Sequence, residues 1–214
     1  MNEKIRRFSM EDKFMKNKKV NDILYGYLQS ISHLDENDRR FVYIDEKIRF
    51  ANIERELDNG MKRVTLSRNF KFLEDTGFVE KGHTKDIYNK IVEVYFLPYD
   101  EKSLYQMINI ETLNYLVKGT NANVIKVYAY LLNKYNWKSK DDTKYVFTKK
   151  EILKKLGSST TNQRDYDKVN IIIDVLIKLK LIEIEKFYCS NKNGTPMPKI
   201  RLLKVNEKVA ISKY

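Results

Sequence analysis

The stretch KRVTLSRNFKFLEDTGFVEKG, from Lys62 to Gly82, determines the fold that the sequence predicts. At helical spacing Val64, Phe70 and Leu73 make one apolar side, with Phe72 on its flank. The remaining positions of the first half are cationic or hydroxyl-bearing: Lys62, Arg63, Thr65, Ser67, Arg68 and Lys71. The pattern therefore predicts a helix that packs by one face and exposes a basic one.

The residues after this helix predict a β-hairpin. Gly77 is placed to end the helix in a left-handed cap, where glycine meets no steric penalty. Phe78 and Val79 then read as the start of an apolar strand that leads to a polar turn at Gly82 to Asn89, and IVEVYFLP at Ile91 to Pro98 reads as the returning strand. We expect a basic helix followed directly by a two-stranded hairpin.

The basic face of this helix suits insertion into a DNA major groove. It carries Arg, Lys, Thr and Ser side chains, and no acidic residue lies between Lys62 and Lys71. These side chains can donate hydrogen bonds to base edges and phosphates. The alternative interpretation is an ordinary solvated basic surface.

The composition favours a folded, polyanion-binding protein. The chain has 214 residues, with 41 Lys and Arg against 29 Asp and Glu, for a net charge of +12. Such an excess of positive charge predicts attraction to a polyanion, and nucleic acid is the first candidate. No apolar run approaches the roughly 20 residues of a membrane span, and no signal-like segment follows Met1, so we predict a cytoplasmic protein without a membrane partner. A single cysteine, Cys189, excludes an internal disulfide and is expected in a strand.

The second half of the chain repeats the pattern of the first. An offset of 104 residues places VNDILYGYLQSISH (20–33) on VIKVYAYLLNKYNW (124–137) and FVYI (41–44) on YVFT (145–148). The same offset places FLEDTGFVE (72–80) on LIKLKLIEI (176–184). Three gapless matches predict two units of the same architecture.

Two segments of the sequence resemble a known DNA-binding module. FANIERELDNGMKRVTLSRNFKFLEDTGFVEKG (50–82), with a helix carrying Phe50, Ile53 and Leu57 inward, is similar to the helix-turn-helix-wing core of bacterial winged-helix proteins. YVFTKKEILKKLGSSTTNQRDYDKVNIIIDVLIKLKLIEIEK (145–186) is similar to a second core. In tandem they resemble the winged-helix replication initiators of plasmids and phages in low-GC bacteria.

The resemblance implies an α+β fold, mainly α, with two winged helix-turn-helix domains in tandem and a short helical connector. Residues 1–19 would be a flexible basic arm that follows DNA phosphates, or a short surface helix. The predicted boundaries are residues 20–98 for the first domain, 99–120 for the connector, 121–205 for the second domain and 206–214 for a tail. In the connector Ile110, Leu113 and Leu116 are expected to face a core, and Asn121 to cap the following helix.

The resemblance also implies which residues contact DNA. In the first domain these are Lys62, Arg63, Thr65, Ser67, Arg68 and Lys71 on the helix, with Lys81, His83 and Lys85 in or near the wing. In the second they are Asn162, Gln163, Arg164 and Lys168 on the helix, with Lys192, Lys199 and Arg201 in the wing. Asp165 and Asp167 complicate the second helix, which either reads cytosine amino groups or contacts another subunit.

No catalytic or metal-binding pattern is visible in the sequence. His33 and His83 have no partners at metal-ligand spacing. There is no phosphate-binding loop and no nucleophile elbow, and the catalytic sets of tyrosine strand-cleaving enzymes are not visible. We therefore expect no enzyme activity, no cofactor and no metal.

Three functions compete on the sequence alone. The first is a plasmid or phage replication initiator that binds repeated origin sites in double-stranded DNA, with a homodimer and replication proteins as further candidate partners. The second is a winged-helix transcriptional regulator. The third is a tandem winged-helix scaffold that binds other proteins, against which the charge of +12 counts.

Overall fold

The fold comes from a computed structural model, which describes residues 5–10, 12–16, 22–43, 63–98, 105–138, 145–190 and 194–209. The described residues form seven helices and nine strands, so helix and strand are mixed along the chain. The predicted helix over residues 50–60 and the predicted contacts Lys62 and Lys192 lie outside the described residues.

The first half of the chain has these elements: β1 Ile5–Ser9, α1 Asp12–Lys16, α2 Asp22–Ile31, β2 His33–Leu34, β3 Arg40–Tyr43, α3 Arg63–Asp75, β4 Glu80–Lys85 and β5 Ile91–Phe96. The second half has β6 Tyr105–Asn109, α4 Ile110–Gly119, α5 Ala122–Lys138, β7 Val146–Phe147, α6 Lys149–Lys155, α7 Gln163–Lys178, β8 Ile182–Ser190 and β9 Pro196–Val205.

Two antiparallel sheets have the same strand order around their hairpins. In the first, the order is β2-β3-β5-β4, and in the second it is β7-β9-β8. In each case the short strand pairs with the returning strand of the following hairpin: Val42 faces Tyr95, and Phe147 faces Ile200. Residues 22–98, the first unit, and residues 121–205, the second unit, therefore share a three-stranded sheet topology, to which the first unit adds β2.

Three equal offsets of 104 residues predicted a repeat without gaps. In the structure the offset between equivalent residues varies along the chain, so the repeat contains gaps. Leu97 N donates to Arg40 O at 2.8 Å, and the equivalent bond runs from Leu202 N to Tyr145 O at 2.8 Å, an offset of 105 residues. After the basic helix the offset falls to 103, because Phe78 N bonds Leu73 O just as Leu181 N bonds Leu176 O. The segment between the short strand and the end of the helix is therefore two residues shorter in the second unit, and the hairpin is two residues longer.

The amino-terminal segment differs from the predicted basic arm or surface helix. Strand β1 pairs antiparallel with β6, and the short helix α1 follows it. Phe8 and Phe14 are fully buried, and Met10 and Met15 are nearly so. The apolar residues spaced through this basic stretch explain the difference, because burying large side chains outweighs leaving the chain free.

The connector between the units contains a strand as well as the predicted helix. Tyr105–Asn109 forms β6, and the Asn109 side chain caps α4 by accepting from Glu111 N at 2.9 Å. Leu113 and Leu116 are buried as predicted, and Ile110 is half-buried. The predicted cap at Asn121 is confirmed: its Oδ1 accepts from Asn123 N at 3.1 Å.

One hydrophobic core runs through both units and the amino-terminal segment. The Phe14 ring lies 4.9 Å from the Tyr25 ring and 5.8 Å from the Phe78 ring. On the other side, Lys126 of α5 is buried and its Nζ donates to the carbonyls of Phe14 at 2.9 Å and Met15 at 3.1 Å. Helix α1 is therefore tied to α2 of the first unit and to α5 of the second.

Candidate nucleic-acid interface

Helix α3 buries one face and exposes a basic one. Leu66, Phe70 and Leu73 are fully buried, and the Phe70 ring meets the Tyr95 ring of β5 edge-on at 4.8 Å. Their spacing of four and three residues puts them on one helical stripe. Away from this stripe, the predicted DNA contacts Ser67, Arg68 and Lys71 are exposed. Arg63 is also exposed, but as the first residue of the helix and on the same side as Leu66, whereas Thr65 is half-buried.

Val64 belongs to the exposed face, which corrects its predicted place in the core. Its exposed fraction is 81%. At 100° per residue Val64 lies roughly 150° around the helix from the centre of the buried stripe, whereas Leu66 falls within it. The error came from anchoring the apolar side on Val64 instead of Leu66. Val64 is thus an apolar side chain among Ser67, Arg68 and Lys71.

The carboxyl end of α3 is acidic. An open groove of about 560 Å³ separates it from β4, lined by Ser67, Lys71, Glu74, Asp75, Val79, Glu80 and Lys81. Three carboxylates in this groove repel phosphate. The side of α3 suited to a polyanion is therefore its amino-terminal half, which has no acidic residue in its first turn.

Strand β4 continues the basic surface beyond α3. Lys81, His83 and Lys85 alternate with Gly82 and Thr84, so they share one face of the hairpin formed by β4 and β5, the first hairpin. All three side chains are exposed. Lys81 forms an ion pair with Glu93 of β5 at 2.5 Å, which reduces its charge toward a ligand. These residues lie in the strand, whereas the sequence had predicted a turn from Gly82 to Asn89.

The turn of the first hairpin is shorter than predicted and has an apolar tip. Asp86 N donates to Lys90 O at 2.9 Å, which closes the turn, and Asn89 adopts a left-handed φ of 59°. Ile87 is 87% exposed, Tyr88 74% and Ile91 75%. The sequence interpretation missed this tip, although the signal was present in the alternation of DIYNKI, where apolar residues interrupt turn-forming ones.

Helix α7 of the second unit uses most of its predicted contact residues internally. The Asn162 side chain caps the helix by accepting from Arg164 N at 3.0 Å. Lys168 Nζ lies 2.8 Å from Asp165 Oδ1, and Gln163 Nε2 donates to Asp167 Oδ1 at 3.0 Å. Arg164 is exposed at the start of the helix. The two aspartates thus neutralise or hold the polar groups that would otherwise face a ligand.

The hairpin of β8 and β9, the second hairpin, is also internally paired. Arg201 Nη1 lies 2.5 Å from Glu185 Oε2, and its guanidinium stacks 4.7 Å from the centre of the Phe187 ring. Lys199 is half-buried in β9. Cys189 lies in β8, as predicted for a strand residue.

The two units therefore differ in available charge. The ion pairs between described residues do not include Arg63, Arg68 or Lys71, whereas Lys168 and Arg201 are each bound to a carboxylate. A cation already paired contributes less to a phosphate contact. Helix α3 is the stronger candidate for a nucleic-acid interface.

Several tyrosines lie in the core or pack against it. Tyr128 is fully buried and its hydroxyl donates to Asn206 O at 2.9 Å, and burial raises its pKa. The hydroxyls of Tyr130 and Tyr145 lie 3.0 Å apart, and burial raises the pKa of both groups. These hydroxyls stay protonated and serve packing.

No protein family matches the sequence, and neither a curated protein nor a solved structure matches the chain. Within the part of the chain that the structure describes, every helix is too short or too polar to cross a bilayer. In that same part, no three His, Cys, Asp or Glu side chains are grouped where they could hold a metal ion.

Proposed function

We propose that this chain is a sequence-specific double-stranded DNA-binding protein with two winged helix-turn-helix units in tandem, and that α3 reads the DNA. The observation that carries the proposal is the exposed amino-terminal half of α3. There Ser67 and Arg68 extend from a helix whose other face is anchored in the core by Leu66 and Phe70, and Arg63 is exposed at the first residue of the same helix. A helix held this way can enter a major groove without disturbing the fold.

The residues of α3 divide into base and phosphate contacts. Arg63 and Arg68 can each donate two hydrogen bonds to guanine O6 and N7, and the Ser67 hydroxyl can bond to several bases. Lys71 borders the acidic groove at the far end of the helix, so it would contact a phosphate only on its exposed side, away from Glu74 and Asp75. Lys85 on the first hairpin extends the phosphate contacts beyond the groove.

The second unit supports the fold and adds a weaker surface. Its α7 carries ion-paired Lys168 and exposed Arg164, so it would add phosphate contacts or a contact with a second copy of the chain. Two linked units suit repeated sites about one helical turn apart. Repeats of this kind favour an origin of replication as the target, and a promoter operator is the alternative target for the same fold.

The test begins with selection from a random duplex library of about 40 base pairs, long enough for two major grooves. Fluorescence anisotropy with the full-length chain then compares the enriched duplex with a scrambled one over a salt series. We expect a preference of about a hundredfold or more that survives moderate salt. Equal binding to both duplexes that disappears with salt would show that the positive charge gives only non-specific attraction to phosphates. The protein-binding scaffold would then replace DNA recognition as the proposed function.

Variants of α3 and α7 locate the reading helix. Arg63→Ala and Arg68→Ala should each weaken specific binding by about 1–3 kcal/mol while the melting temperature stays unchanged, because both residues are exposed. Arg164→Ala is the matched control on α7. If only the α7 variant loses affinity, the reading helix is α7. Mapping the enriched site to origin repeats or to a promoter then separates initiator from regulator.

A further inference from the structure

The turn of the first hairpin is a rigid element. Asp86 Oδ1 accepts hydrogen bonds from Tyr88 N at 2.8 Å and Lys90 N at 2.9 Å. The backbone adds Asn89 N to Asp86 O at 3.0 Å, and Asn89 takes the left-handed conformation that suits Asn at this position. Because these bonds fix the backbone, the Cα positions from which the side chains of the turn extend are set before any ligand arrives.

The side chains held at this tip are large and apolar. Ile87 is 87% exposed, Tyr88 74% and Ile91 75%, and they lie within five consecutive residues. Single exposed apolar residues are common on protein surfaces, but three on one projecting turn mark a contact site. Turn positions favour Gly, Pro, Asn, Asp and Ser, so a ligand for this tip would have to accept an apolar surface.

The surroundings of the tip favour DNA as that ligand. Lys85 and Lys90 flank the apolar residues, and both are exposed. The carboxylate of Asp86 is engaged with backbone N–H groups, and His83 and Lys81, the latter paired with Glu93, lie on the same face of β4 as Lys85. Cations beside an apolar tip match a polyanion with apolar base faces inside it.

We propose that the tip of the first hairpin enters the minor groove next to the α3 site and inserts Ile87 and Tyr88 as a wedge between two base pairs. The proposal rests on the proposed DNA-binding function and adds a distortion of the duplex. Isoleucine is among the residues that unstack base steps in this way, and the tyrosine ring can cover an exposed base face. Flexible pyrimidine–purine steps are the preferred place, because they unstack most easily.

The distortion connects the tip to local opening of the duplex. When α3 is held in the major groove, a wedge in the adjacent minor groove bends the DNA away from the hairpin. The phosphates beside the opened step then lie within reach of Lys85 and Lys90. A protein that marks a site with α3 would thereby also weaken the stacking beside it.

The experiment uses the enriched duplex with 2-aminopurine placed in turn at each step flanking the α3 footprint. At saturating full-length protein, we expect fluorescence to rise several-fold at one step. In the Ile87→Ala, Tyr88→Ala double variant the rise should disappear, and affinity should fall about tenfold. Tyr188→Ala, an equally exposed tyrosine on the second hairpin, is the matched control and should change neither quantity. Thermal melts check that each variant is folded.

A further variant separates the wedge from simple attraction to phosphate. Ile87→Lys adds a positive charge to the tip, so a hairpin that only follows phosphates would bind more tightly, whereas the wedge predicts loss of the fluorescence rise. Wild-type fluorescence that stays flat at every step overturns the wedge, and so does a double variant that unstacks DNA like the wild type. If the double variant loses only self-association in sedimentation, the tip contacts protein instead.

Failure of the wedge and failure of the proposed function give different results. When the wild type prefers the enriched duplex and Arg68→Ala weakens binding, α3 still reads DNA even if the tip variants have no effect. When no duplex is preferred and Arg68→Ala has no effect, both proposals are wrong.

Discussion

Lys180 occupies in the second unit the position that Gly77 occupies in the first. Gly77 has φ 70° and Lys180 φ 54°, and each N–H bonds the carbonyl three residues back in the last turn of its helix: Gly77 N to Glu74 O at 3.0 Å and Lys180 N to Ile177 O at 2.8 Å. The next residues, Phe78 and Leu181, both enter the core. The same helix stop is therefore made once with glycine and once with a strained lysine.

Substitutions at these two helix ends should have opposite effects on stability. Lys180→Gly should raise the free energy of unfolding by about 1 kcal/mol, because it relieves the left-handed strain of a residue with a Cβ. Gly77→Ala should lower it by about 1–2 kcal/mol, since open space surrounds the added Cβ and only the backbone conformation is penalised. Urea denaturation followed by circular dichroism measures both. Effects of the same sign would contradict the equivalence.

The buried Lys126 should stabilise the packing of the amino-terminal segment. Its Nζ donates to the carbonyls of Phe14 and Met15, the last residues before the end of α1. Lys126→Met keeps most of the side-chain volume but removes both bonds, so we expect a loss of about 2–3 kcal/mol in the free energy of unfolding. Lys150→Met on the exposed side of α6 is the control and should change it by less than about 0.5 kcal/mol. Equal effects of the two variants would show that the two hydrogen bonds contribute nothing.

The turn at Asp35 should make stability depend on acid pH. Burial of this carboxylate would raise its pKa, but hydrogen bonds from Arg39 N at 2.8 Å and Asn37 N at 3.0 Å, with the Arg39 guanidinium, outweigh burial and lower the pKa below 3.8. A lowered pKa in the folded state stabilises the fold above the unfolded pKa, and this contribution is lost as pH falls through the folded value.

The measurement for Asp35 compares the wild type with Asp35→Asn by urea denaturation from pH 7 down to about pH 2. The wild type should be more stable at neutral pH, and the difference should shrink below pH 3.8, the ordinary value for this carboxyl group. A difference that stays constant over this range would show that ionisation of Asp35 does not stabilise the turn.

The exposed Val64 should contribute to base recognition if α3 reads DNA. Its side chain projects from the same face as Arg68, where an apolar group can contact the methyl group of thymine. Replacing thymine by uracil at one position of the enriched duplex should weaken wild-type binding about fourfold, the equivalent of one buried methyl group. In Val64→Ala the preference should largely disappear.

Ile171→Ala is the matched control for Val64, because it removes an exposed β-branched side chain from α7. It should leave the thymine preference intact. Wild-type protein that binds the thymine and uracil duplexes equally at every position would show that Val64 contacts no methyl group.

Periodicity predicted the elements whose contacts are local. The buried stripes of α3 and α7 follow from three- and four-residue spacing, and the left-handed Gly77 marks the end of α3 as expected. The hairpins follow from alternating runs bounded by turn residues. Periodicity failed at Val64. Either Val64 or Leu66 could have been taken as the start of the apolar face, and only the structure shows that Leu66 is the buried one.

The sequence predicted which residues belong to the candidate site. It did not predict which of their charged groups are already paired within the protein and which can contact a ligand. Helical spacing put Ser67, Arg68 and Lys71 outside the apolar face, and they are exposed. Spacing alone could not show that Arg201 stacks on Phe187 and pairs with Glu185, sixteen residues away. Ion pairs of this kind depend on strand register, which is set by the whole sheet.

The amino-acid sequence by itself determined the basic helix, the two hairpins and the repeated order of elements, because each depends on residues close together in the chain. Only the tertiary structure decided that β1 pairs with β6, about a hundred residues later, and that Lys126 holds the end of α1. It also decided that Val64 and Ile87 face outward beside the cations. These features depend on which distant surfaces meet, and the free energy of burial over the whole core selects that arrangement.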